Sequence, residues 1–195
     1  MAPERGPSAD KSIIARIDGL SHPLRLAIIT AVDQRPASAT EIAQAIDEPV
    51  DKIRYQLRGL VAAGLVRVAE ERKNRGVLER FYVARVEAMY FDEEELRDVP
   101  VEKKDKMSAT FLKVAFREAV SSLAAGTMTD DSMVIRTPLR LDEQGWNELI
   151  RIHREAFEKV AAVKGRSEER LRESGGPMIP AVSVLLFFEM PQNAF

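Results

Sequence analysis

The hydrophobic period of this chain changes at residue 64, and that change restricts the fold more than any other feature. Ile53, Leu57, Leu60 and Val61 repeat at i, i+4, i+7 and i+8, the spacing of one buried helix face. Gly64 stands where a left-handed residue closes a helix. From Leu65 to Glu70 apolar and polar residues alternate with period two, as in a strand buried on one side. The helix, residues 49–63, opens at Pro49 and leaves Asp51, Lys52, Arg54, Tyr55 and Arg58 on its other face. A basic and aromatic helix face followed at once by a strand must be set against a core on one side only.

The flanking segments supply that core. Ile13, Ile14 and Ile17 have helical spacing and Gly19 stops them. Ser21 followed by Pro23 reads as an N-cap and a first-turn proline. Leu24, Ala27, Ile28, Ala31 and Val32 then form the next apolar stripe. Residues 37–39 are a short extended link, and residues 40–46 a short helix with Ile42, Ala43 and Ile46 inward. After the strand that starts at Leu65, Arg72-Lys73-Asn74-Arg75-Gly76 is a basic turn, and residues 77–83 return as a second strand. Helices followed by a basic-tipped hairpin, in this order, are a winged helix-turn-helix. Its longer helix fits a DNA major groove, with Lys52, Arg54, Tyr55 and Arg58 turned to base edges and Thr40 at the preceding helix start. The wing places Arg72, Lys73 and Arg75 over phosphates.

Three stretches carry a family resemblance. Residues 20–29, Leu-Ser-His-Pro-Leu-Arg-Leu-Ala-Ile-Ile, resemble the opening L-x-x-P-x-R-L-x-I-L of the ArsR-like winged-helix repressors. Thr40-Glu41-Ile42-Ala43 resembles their T-x-x-E-L-A helix. Residues 53–66 resemble their recognition-helix run V-S-x-H-L-x-x-L-x-x-A-G-L-V. The resemblance spans roughly residues 12–85 and implies a transcriptional repressor that binds a pseudo-palindromic operator as a homodimer, paired through terminal helices. The metal-sensing branch of that family uses cysteine pairs, or His and Asp ligands on a terminal helix. Here there is no cysteine, and His153 has no second histidine beside it, so no metal and no cofactor is expected.

Composition narrows the alternatives. Hydrophobic residues make up 45% and charged residues 31%, enough apolar content for a buried core. The net charge of -2 conceals an asymmetry: residues 1–85 hold 14 basic and 11 acidic residues, residues 86–195 hold 15 and 20. Only the front half is suited to an acidic polymer. No glycine-rich phosphate loop opens a helix and no serine sits in a nucleophile elbow, so the chain does not read as an enzyme. The longest purely apolar run, residues 184–188, is far short of the roughly 20 residues of a membrane helix. With no leader-like stretch in residues 1–10, which read as disordered, a cytoplasmic location is expected.

The expected organisation is α+β: a winged helix-turn-helix domain over residues 11–91, a linker over 92–106, and a C-terminal dimerisation or effector region over 107–195. Residues 83–91 extend the last wing strand. Residues 107–125 are a helix with Phe111, Leu112, Ala115, Phe116, Ala119, Val120 and Leu123 on a wide apolar face, the first candidate for a dimer contact. Residues 132–141 alternate as a strand, Asp142 caps a long helix, and residues 179–190 form a closing apolar strand, the two strands pairing. The start Leu141-Asp142-Glu143-x-Gly145-Trp146 and the end Phe188-Glu189-Met190-Pro191 resemble the C-terminal extensions of bacterial regulators with an ArsR-like DNA-binding half. Phe111, Phe116, Trp146, His153 and Phe157 are the candidate lining of a pocket for a small apolar effector. Double-stranded DNA and a second copy of the chain are the expected partners. A winged-helix protein-interaction module without DNA is the alternative.

Overall fold

A computed structural model of the protein describes residues 7–74 and 77–191. The chain divides into two units, 1–127 and 128–195. Of residues 1–10, expected to be disordered, 1–6 lie outside the described residues, and Pro7 already begins the first helix.

The first unit runs α1 (Pro7–Leu20), α2 (Pro23–Gln34), β1 (Ala37–Ser38), α3 (Ala39–Ile46), α4 (Val50–Ala62), β2 (Val66–Asn74), β3 (Val77–Ala84), a 3₁₀ turn (Val86–Met89), α5 (Glu93–Arg97) and α6 (Val101–Ala124). The sheet is antiparallel in the order β1-β3-β2. Its core gathers Leu20, Ile28, Val32, Ile42, Ile53, Leu57, Leu60, Leu65 and Val66, all essentially without solvent contact. α2 is the central helix, touching α1, α3, α4 and β3. That is why Leu26 and Ile29 are buried as well as the predicted Ile28 and Val32, while Leu24 is only half-buried.

The helix starts are set by short side chains. His22, not Ser21, caps α2: its imidazole Nδ1 accepts from Leu24 N at 3.2 Å, with Pro23 in the first turn. Ser21 instead donates to Ile17 O at 2.7 Å, closing α1. α3 begins one residue before the predicted Thr40 because Ser38 and Glu41 form a capping box: Ser38 Oγ accepts from Glu41 N at 3.3 Å, and Glu41 accepts from Ser38 N at 2.8 Å. The bond from Ser38 N–H holds the Glu41 carboxyl below its ordinary range, and Arg35 adds to the effect. α4 closes at Gly64, which takes a φ of 73°, as its position after the last helical turn required.

Three expectations are corrected here. Val61 is 40% exposed: it continues the outer row of Arg54 and Arg58, at i+7 and i+3 from them, rather than the inner row. Of residues 83–91, only 83 and 84 belong to β3, which stops at Ala84; the chain then turns through the 3₁₀ segment so that Phe91 lies beneath the Arg16 guanidinium at 4.4 Å. Residues 92–106 are not a linker. They hold α5, capped by Asp92, and the first turns of α6, and both are tied to α1: Arg16 pairs with Glu95 at 2.9 Å and Lys103 with Asp18 at 2.6 Å. Pro100 stands at the N-cap of α6, so that helix begins before the expected residue 107.

The second unit contains α7 (Glu143–Ser174), capped by Asp142, whose side chain accepts from Gly145 N at 2.8 Å, and closed by Gly175 at a φ of 60°. The two predicted strands, residues 132–141 and 179–190, are not in a sheet. Pro138 and Pro180 each remove a ladder donor from them. Met133, Val134, Ile135, Ile179 and Phe188 are exposed. Phe187 is the anchor of the last segment: its ring lies 4.5 Å from Trp146 and 5.1 Å from His153, centroid to centroid.

Two outcomes follow for the capping residues. Ser38→Ala removes the acceptor for Glu41 N inside a buried corner and should lower stability by about 1 kcal/mol in urea unfolding; an unchanged midpoint would mean the box is ornamental. Burial, then the charges of Arg25, Lys106 and Lys52, lower the His22 pKa from its ordinary value. The unfolded chain therefore binds the proton more readily. The contribution of the neutral imidazole is complete above pH ~6.5 and is lost as pH falls towards the lower folded value. His22→Asn keeps a cap acceptor that does not titrate, so its urea midpoint should fall less than that of the wild type between neutral and mildly acidic pH. Parallel pH profiles would refute this role.

Candidate nucleic-acid interface

α4 is held on the first unit by Ile53, Leu57 and Leu60, each at most 1% exposed. Burial of one face fixes the opposite one. Asp51, Lys52, Arg54, Tyr55 and Arg58 are all exposed there, Tyr55 at 63%. Thr40 is exposed on the first turn of α3.

None of the named cations on α4 is solitary. Lys52 Nζ pairs with Glu48 at 2.9 Å, and Arg54 Nη1 with Asp51 Oδ1 at 3.2 Å. The Arg58 guanidinium lies 5.8 Å from the Tyr55 ring centroid. Such pairs on an exposed surface are each worth under about 1 kcal/mol, so an incoming polyanion can displace them.

The hairpin differs from the sequence reading. β2 runs as far as Asn74, so Arg72 and Lys73 belong to a strand, paired opposite Glu79 and Leu78, and not to the turn. Both are exposed. Arg75 and Gly76 lie outside the described residues. The register slips between Val68 and Glu70, a bulge that breaks the period-two pattern. Beyond it, Arg72 bonds Glu70 at 2.5 Å and lies 4.4 Å above the Phe81 ring, while Arg80 pairs with Glu71 at 2.8 Å. The Glu70 bond raises the Arg72 pKa further, so this cation carries its charge at every relevant pH. The wing is therefore a mixed surface in which acids alternate with bases.

A polar pair that is not among the candidate site residues, Arg25 on α2 and Gln56 on α4, joins these two helices. Arg25 on α2 donates through Nε to Gln56 Oε1 at 2.8 Å, and through Nη1 to Asp18 O at 3.3 Å. The only sequence signal for Arg25 was its place in the stretch Pro23-Leu24-Arg25-Leu26.

The candidate effector residues fall in different units. Phe111 and Phe116 are on α6, both exposed. Trp146, His153 and Phe157 are half-buried on α7, where His153 Nδ1 also lies 2.8 Å from Leu149 O. Among the described residues, no group of three His, Asp or Glu side chains is placed to hold a metal ion, and no helix is long and apolar enough to cross a membrane.

Residues 20–69 match a family described as a helix-turn-helix domain. This stretch covers α2 to the first half of β2. No curated protein matches the chain. Among solved structures, the chain is similar to NolR from Sinorhizobium fredii, with 15% identity over 50% of this chain and 88% of that one, at a TM-score of 0.33. It is also similar to a mutant MepR from a multidrug-resistant S. aureus clinical isolate, with 17% identity over 57% of this chain and 88% of that one, at a TM-score of 0.25.

Proposed function

We propose that the protein is a DNA-binding transcriptional regulator of the ArsR-like kind, acting as a repressor in the cytoplasm. The observation that carries this reading is the seating of α4: one face is locked into the core and the other presents Lys52, Arg54, Tyr55 and Arg58 beside a hairpin bearing Arg72 and Lys73. In the reading, α4 enters the major groove, Thr40 meets the adjoining backbone, and Arg72, Lys73 and Arg75 meet the phosphates flanking it.

A homodimer on a pseudo-palindromic operator completes the reading. Its support is α6, where Leu112, Phe116, Val120 and Leu123 stand exposed at intervals of three and four residues, a stripe of the kind two helices bury between them. Paired copies would present two α4 helices about 34 Å apart, or a multiple of that. A small apolar effector is the regulatory input in this reading. Trp146, His153 and Phe157 on α7 are its candidate contacts. Glu70, Glu71 and Glu79 on the hairpin favour the alternative, a protein-binding module, over a purely electrostatic DNA wing.

The deciding experiment is selection from random duplexes followed by gel-shift titration at one fixed salt concentration. Recovery of a shared sequence supports the regulator; failure to retain any duplex favours the protein-binding module. On the selected duplex, Arg54→Ala should lose roughly 1–3 kcal/mol of discrimination, the range of a bidentate arginine–guanine contact, while keeping most of its affinity for a random one. An equal loss on both would place Arg54 on phosphate and move base reading to Tyr55 or Arg58.

Light scattering tests the assembly. A particle of about twice the 21.8 kDa chain mass is expected, reduced to a single chain by Val120→Glu. A wild-type monomer at micromolar concentration would remove α6 as the dimer helix.

A further inference from the structure

α4 is a helix whose outer face must be aimed to within a fraction of its own side-chain length, and apolar packing alone leaves some freedom for it to slide or roll. Leucine and isoleucine contacts are non-directional. A directional restraint is present on the side facing α2. The Arg25 guanidinium lies across α4 where that helix carries Gly59. A methyl group at Gly59 would sit 3.5 Å from Arg25 Nη2 and 3.8 Å from Cζ, in van der Waals contact, so the guanidinium lies directly against the helix at this position. Arg25 then divides its donors between two elements. Nε holds the Gln56 amide oxygen on α4, and Nη1 holds the Asp18 carbonyl in the last turn of α1. The Asp18 carboxylate is itself held by Lys103 of α6 through two contacts of 2.6 and 2.8 Å. Gln56 adjoins Tyr55 in sequence and lies two residues before Arg58.

We propose that Arg25 is a positioning residue for the recognition helix: lodged over Gly59 and bonded to Gln56 and Asp18, it fixes the roll and axial position of α4 and so sets which bases its outer face meets. The inference rests on the DNA-binding reading above and deepens it. A planar fork suits the task because its donors leave in fixed directions, whereas a lysine ammonium would satisfy either acceptor without orienting the other. Arg25 needs no DNA contact of its own. Its effect is on the ratio of specific to non-specific affinity, because phosphate contacts tolerate a small shift of the helix and base contacts do not.

The test uses the full-length protein, the duplex recovered by selection, and a scrambled duplex of the same length. Arg25→Met keeps the stem and removes every donor; Gln56→Met removes the acceptor on α4. Each should lower the preference for the selected duplex by about tenfold, the lower part of the range for a lost base contact, with affinity for the scrambled duplex and its salt slope unchanged. The double variant should be no worse than Arg25→Met alone, because the Gln56 bond is already lost in that variant. Arg25→Lys should recover only part of the preference. Urea unfolding of each variant gives the folded fraction, and if Arg25→Met does not fold, the half-exposed Gln56→Met decides alone. An unchanged preference, or additive losses in the double variant, would overturn the proposal. So would an equal loss on both duplexes with a salt slope lower by about one unit, since Arg25 would then be a phosphate contact. If the wild type retains no duplex at all, it is the DNA-binding reading that fails.

Discussion

The burial of Ile53, Leu57 and Leu60 is the interaction on which the rest of the first unit depends. Removing such side chains from water stabilises by about 1.5–3 kcal/mol each, and all three enter one cluster with Leu20, Ile28, Ile42 and Leu65. That cluster draws on α1, α2, α3, α4 and the start of the hairpin, so turning any helix's buried face away from it would open a gap in the others. The exposed face of α4 is a consequence: Arg54, Tyr55 and Arg58 point outward because the alternative rotation would bury charge and expose leucine. Functional presentation and core packing are here the same constraint.

Much of the first unit was legible because its determinants are local. The i, i+4, i+7 row of α4, the glycine at position 64 and the prolines at 23 and 49 each act on the residues beside them, and each lies where it was read. The capping box of α3 was equally legible, since Ser38 followed three residues later by Glu41 is its signature, yet Thr40 drew the boundary too far along. What could not be read was of a different kind. The bulge between Val68 and Glu70 depends on which residues of β3 lie opposite, a relation between strands that one strand does not contain. The tie of α5 and α6 to α1 depends on ion pairs over 79 and 85 residues of sequence, and a polar stretch with distant partners looks the same as a linker.

The second unit shows the same limit more severely. Residues 132–141 and 179–190 have the composition of strands, but composition states only that a segment would be stable if paired. The pairing depends on a partner edge, and apolar residues there remain exposed instead. By contrast α7 needs nothing beyond its own sequence to be defined: Asp142 opens it, Gly175 closes it, and its hydrogen bonds are internal. Trp146 and His153 are candidates for an aromatic site by their helical spacing, and the ring they lie against is Phe187 of this same chain.

The state of the cations on the candidate interface bears on how such a surface would work. Lys52, Arg54, Arg72 and Arg80 each have a carboxylate within 3.2 Å. A cation that moves from an exposed carboxylate to a phosphate exchanges one weak pair for another, so its net gain in affinity is smaller than that of a solvated cation. It still releases a counterion from the nucleic acid, and the salt dependence of binding therefore counts contacts more faithfully than affinity does. Non-specific attraction would be restrained by Glu48, Asp51, Glu70 and Glu71, which repel a misplaced backbone. A groove that offers Arg54 a guanine edge does what a phosphate cannot, because two hydrogen bonds in a fixed plane replace a single 3.2 Å contact to Asp51. In the proposed reading, acids interleaved among the bases would lower affinity for any duplex and leave discrimination between duplexes to the directional contacts of α4.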